Sequence, residues 1–181
     1  MYMELNNYQR IMLVWAGLVS VGYVASIWLF DSMVAFFVLW FVVGVVGVAV
    51  EYKLGGTKDK KTRISQIVWA IIVLGGIFLN IFERTGTIPL FGDNMFIGWP
   101  LACSFGMLVT ALIYRLNVSY LILMVGYIGF AAMMYFVVKG FNISLFVSAL
   151  LFAALLLVDA GFEGTPFRKR NLLAQKQHLE K

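Results

Sequence analysis

The sequence is short of the residues from which most metal sites and hydrolytic enzymes are built. Cys103 is its one cysteine and His178 its one histidine. A single cysteine excludes an intrachain disulfide and any Cys-x-x-Cys redox or zinc pair. A single histidine, placed in the polar tail, excludes bis-histidine haem ligation, His-rich metal sites and most histidine-based acid–base catalysis. There is no His-Glu-x-x-His and no Gly-x-Ser-x-Gly, so the zincin and hydrolase signatures are missing. No pair of acidic residues stands at metal-binding spacing inside an apolar run, and Ser104 has no histidine to act as its base. The sequence predicts no metal and no cofactor, and it favours a role other than catalysis.

Charge is scarce too. Of 181 residues only 13% are charged, whereas 62% are apolar or aromatic and mean hydropathy is +0.90. A soluble domain carries about 25% charge and about 45–50% apolar residues. A chain of this composition cannot cover itself with polar surface in water, so it reads as an integral membrane protein, of a length usual for one domain. The net charge of +5 is better spent on anionic lipid headgroups than on nucleic acid, because the basic residues flank apolar runs.

Those runs lie at 11–30, 33–50, 64–81, 95–114, 119–138 and 143–158. Each approaches the ~20 residues that cross a bilayer as a helix, and a lipid-exposed backbone must satisfy its own hydrogen bonds. The fold class expected is therefore all-α: a polytopic membrane protein with six transmembrane helices in a compact bundle. A lead-in at 1–10 and a basic tail at 160–181 flank a transmembrane domain at 11–159. The first run is too long for a signal-peptide core of about 7–15 residues. Asp31 is expected to cap the second helix, and Gly75-Gly76 to interrupt the third.

Basic residues set the orientation. With both termini cytoplasmic, Arg10, the lysines and arginine of 51–63, Arg115 and the tail all fall inside, leaving only Arg84 and Lys139 outside. The positive-inside rule thus predicts N-in, C-in topology in the cell membrane. Laying the first span over the fourth pairs Trp15 with Trp99, Ser20 with Ser104, Gly22 with Gly106 and Ser26 with Thr110. This suggests a weak 3+3 inverted repeat, a plan used by secondary transporters. In size and helix count the chain resembles the small six-helix substrate-binding subunits of vitamin transporters, a likeness of architecture that names no substrate.

The central stretch 80–100, around the break between the third and fourth runs, holds the charged residues Glu83, Arg84 and Asp93 together with Pro89 and Pro100. Asn80, Glu83 and Arg84 are spaced i, i+3, i+4 and share a helix face. A carboxylate and a guanidinium there suit a polar or zwitterionic solute, with Asp93 nearby and the segment 89–100 as lid. Ser104 and Thr110 on the fourth span, and Tyr127 on the fifth, are expected to line the cavity below. The leading expectation is a small solute-binding or transport protein with an outward-facing site. It would work as a homo-oligomer or with a partner membrane subunit, surrounded by membrane lipids. The alternatives are an accessory subunit of a larger membrane complex and an enzyme acting on lipid through Glu83 or Asp159.

Overall fold

Six apolar runs bounded by polar turns form six helices in a computed structural model of the chain, which describes residues 6–29, 31–55, 60–86, 97–138, 141–162 and 165. They are α1 (Asn7–Leu29), α2 (Met33–Gly55), α3 (Lys60–Arg84), α4 (Gly98–Ile113), α5 (Val118–Phe136) and α6 (Phe141–Phe162). No strand occurs among the described residues. Four helices are long and apolar enough to cross a membrane, over Asn7–Leu29, Met33–Leu54, Val118–Phe136 and Ile143–Phe162. The apolar parts of the other two, Arg63–Leu79 and Gly98–Ile113, are shorter.

Local chemistry explains the boundaries and corrects two expectations. Ser32, not Asp31, caps α2: its hydroxyl accepts from the Ala35 amide at 3.3 Å, the service a helix N-terminus needs for its orphan donors. Helix α3 runs unbroken through Gly75-Gly76, because its backbone bonds do not depend on side chains at those positions. At the end of α4 the chain reverses through Arg115 and Leu116, both with φ 57°. Asn117 then caps α5, accepting from the Ser119 amide at 3.0 Å and its hydroxyl at 2.7 Å.

Each helix packs on the next in sequence, and α6 returns to pack extensively on α1, so the six close into a ring. The α2–α3 seam is the sparsest of these contacts. Side chains such as Val34, Phe41, Phe105 and Phe136 remain exposed, as expected of a protein whose solvent on that face is lipid. Toward the interior, Tyr23, Met107, Leu123, Tyr127, Phe130 and Phe152 form the buried core.

Two hairpins are closed by one device used reciprocally. The Trp15 ring lies in van der Waals overlap with the space a Cβ would take at Gly47, and the Trp40 ring lies 3.2 Å from the corresponding point at Gly22. In the next hairpin Trp99 stands 2.7 Å from that point at Gly76, and Trp69 stands 2.9 Å from it at Gly106. A Cβ at Gly47, Gly76 or Gly106 would force the facing indole to shift, and one at Gly22 would sit tighter on Trp40 than ordinary packing allows. In three of the sockets the indole N–H is satisfied one turn further on. Trp40 Nε1 donates to Ser26 Oγ and Trp69 Nε1 to Thr110 Oγ1, both at 3.2 Å. Trp15 donates to the Glu51 carboxylate.

Candidate functional site

Within the ring lies a cavity of about 690 Å³ to which all six helices contribute. That is within the ~300–1,000 Å³ range of small-molecule sites. Its polar end lies where α1 and α3 begin and α2 and α6 end. Asn7 and Tyr8, Glu51, Arg63 and Gln66, and Asp159 line it there, with Asn117 from the start of α5. Away from that end the wall becomes aromatic. Trp40, Trp69, Trp99, Tyr23, Tyr127 and Phe152 face the cavity there, and Trp15, Tyr8, Tyr52, Tyr114 and Tyr120 complete its aromatic lining.

The aromatic wall is ordered by ring contacts. Trp40 and Trp99 bridge the two hairpins with centroids 6.4 Å apart and planes inclined at 21°. This is near the long limit of direct aromatic pairing. Tyr23 meets Trp40 edge-on at 4.9 Å and stacks on Phe152 at 5.5 Å. Tyr114 and Tyr120, nearer the polar end, lie 5.6 Å apart. Cys103 also lines the cavity.

Two carboxylates and one guanidinium supply its charge. Asp159, only 2% exposed, accepts a 2.7 Å hydrogen bond from the Tyr8 hydroxyl. Beside it the Gln9 amide donates to the Ala160 carbonyl at 3.3 Å. These bonds tie the start of α1 to the end of α6. Glu51 is held by Trp15 and by the side chain of Gln66. Arg63 is exposed at the mouth and makes no ion pair among the described residues. Among those residues no group of three or more metal-ligating side chains is placed to hold an ion.

Of the residues expected from the sequence to form a site, Thr110 and Tyr127 line this cavity. Ser104 is buried in α4 but is not part of its wall. Asn80, Glu83 and Arg84 occupy the last turns of α3, while their side chains lie outside the described residues. Asp93 and the segment 87–96 lie wholly outside them. The polar mouth is thus formed at the opposite end of α3 from Glu83 and Arg84.

Sequence reasoning missed Glu51 and the tryptophans. A signal for them existed: Trp-x6-Gly-x3-polar occurs four times. The instances are Trp15/Gly22/Ser26, Trp40/Gly47/Glu51, Trp69/Gly76/Asn80 and Trp99/Gly106/Thr110. The correspondence between first and fourth spans is one pair within this set of four, and α5 and α6, which have no tryptophan, carry no instance of it. Compared with protein-family models, with curated proteins and with solved structures, the chain matches none.

Proposed function

We propose that this chain is a polytopic membrane protein that binds, and by moving its two Trp–Gly hairpins carries, a small organic solute in the aromatic cavity. The observation that carries the reading is the cavity itself. It is ligand-sized, walled by every helix, and has its charged groups gathered at one end of a lining rich in aromatic rings. Buried polar groups around an apolar wall are the usual makings of a small-molecule site. All six helices span in this reading, and the positive-inside rule turns the mouth toward the cytoplasm, since Arg10, Lys53, Lys60, Lys61 and Arg63 lie at that end. Asn80, Glu83, Arg84 and Asp93 would then serve the opposite, outer end of the path.

Native mass spectrometry of protein gently extracted from its own membrane tests this. The expected result is a bound small mass at fixed stoichiometry, lost in Ala70→Phe, which fills the cavity from α3. A stoichiometric protein partner with no small mass would favour the accessory-subunit reading instead. Orientation is tested in a Cys103→Ser background carrying Gln66→Cys at the mouth or Phe82→Cys at the far end of α3. A membrane-impermeant thiol reagent should reach the first only from the cytoplasmic side and the second only from outside. The reverse pattern would overturn the topology.

A further inference from the structure

We infer that the cavity selects an organic cation bearing a planar aromatic ring, with Glu51 as its counter-charge; this rests on the solute-binding reading above. The sockets make the argument. In each described socket an indole N–H needs one acceptor, and a neutral hydroxyl suffices at Ser26 and at Thr110. At the equivalent position in α2 the acceptor is the Glu51 carboxylate. Packing does not require a charge there, and holding a carboxylate in a partly desolvated wall is costly. Its presence is accounted for if something positive comes to it.

The surroundings agree. Four indoles and six phenols line the cavity, and the negative faces of such rings attract cations, most strongly where water is excluded. The lining carries a second carboxylate, Asp159, and a single cation, Arg63. Arg63 is exposed at the mouth, and among the described residues no lysine, arginine or histidine stands along the deeper wall. Among the described lining residues an anion entering past Arg63 would meet no further cationic side chain and two carboxylates. A neutral aromatic would use the rings and leave Glu51 without a ligand. A cation uses both.

The test compares three probes of similar shape on the full chain in detergent: phenyltrimethylammonium, its uncharged isostere tert-butylbenzene, and benzenesulfonate. Binding is read by tryptophan fluorescence, corrected against empty micelles, and by protection of Cys103 from alkylation. The cation should bind saturably, at least about tenfold more tightly than the neutral isostere, with no binding of the anion; tenfold corresponds to a cation–π and ion-pair gain of about 1.4 kcal/mol. Glu51→Gln, which keeps an acceptor for Trp15, should weaken binding of the cation several-fold more than binding of the neutral probe, and so shrink that preference toward the part the rings supply; an undiminished preference would overturn the assignment to Glu51. Equal binding of cation and isostere, or binding of the sulfonate, would overturn the charge assignment while leaving the cavity reading intact. If none of the probes protects Cys103, both readings fail. Should Glu51→Gln not fold, the three-probe comparison on the unaltered protein decides alone.

Discussion

Gly75 and Gly76 are neighbours on α3 with opposite surroundings, which makes them a sharp test of the Trp–Gly sockets. A Cβ at Gly75 would meet nothing within 4 Å, whereas at Gly76 it would lie 2.7, 2.9 and 3.0 Å from three atoms of the Trp99 ring. Carbon atoms pack best at about 3.5–4.0 Å, so the ring must retreat by most of an ångström. Forcing a methyl into filled space costs about 1–3 kcal/mol. Both substitutions by alanine gain the same helix propensity, about 1 kcal/mol, and this cancels in the comparison. Gly75→Ala should therefore raise stability by up to about 1 kcal/mol, and Gly76→Ala should fall about 1–3 kcal/mol below it. Reversible unfolding in mixed detergent, followed by tryptophan fluorescence, measures the difference. Repeating the pair in a Trp99→Ala background should erase it, since the collision has been removed. If the two variants agree within about 0.5 kcal/mol in the native background, the error of additivity, the sockets are not tight and the hairpin geometry is wrong.

Other substitutions test the polar contacts. Trp69→Phe and Thr110→Val each remove the 3.2 Å bond between α3 and α4. Each should cost about 1 kcal/mol, and the double variant should cost less than the sum. Tyr8→Phe deletes the 2.7 Å donor to buried Asp159 and should destabilise by about 1.5–3 kcal/mol, as a bond to a charged group does. Hydrogen exchange should then quicken in the first turn of α1, and an unchanged rate would show that the bond does not hold α1 to α6. Leu116, at φ 57° and 56% exposed, pays about 1–2 kcal/mol for a left-handed backbone while packing little. Leu116→Gly should stabilise by up to about 1 kcal/mol after the glycine's own entropy is charged against it, as a thermal melt will report.

The existence and order of the helices were legible because a run of some twenty apolar residues leaves the backbone little alternative to helix. Their ends were less so, and the reason is physical. Hydrophobicity marks where a side chain meets lipid, but a helix continues as long as its N–H and C=O groups find each other. Helix α2 runs five residues past the apolar boundary at 50 to Gly55, and α6 runs four past 158 to Phe162. Those extensions carry Glu51 and Asp159. Reading spans from apolar residues alone placed both acids at membrane edges, where a charge is ordinarily an anchor, so Glu51 entered no expected site and Asp159 only the alternative of an enzyme acting on lipid.

The tryptophans were overlooked for a related reason. Read along one helix, an indole near an end looks like an interfacial anchor, and Trp28, 73% exposed, fits that description. The other four are defined by a partner on a different helix: Trp15 by Gly47, Trp40 by Gly22, Trp69 by Gly106 and Trp99 by Gly76. No single span contains both halves of a socket, so comparing spans one against one finds the register without its meaning. Reciprocity has a consequence for the cavity. Each hairpin is drawn tight by two indoles entering two glycines, while α2 and α3 approach only loosely, with Val73 an ordinary 3.7 Å from the Cβ position of Gly44. Close packing is thereby spent within the hairpins, and the space left between them becomes the cavity. The rings that close the hairpins are the same rings that wall it, so a substitution that loosens a socket should also reshape the site. The stability of the hairpins and the shape of the cavity are set by the same four Trp–Gly contacts.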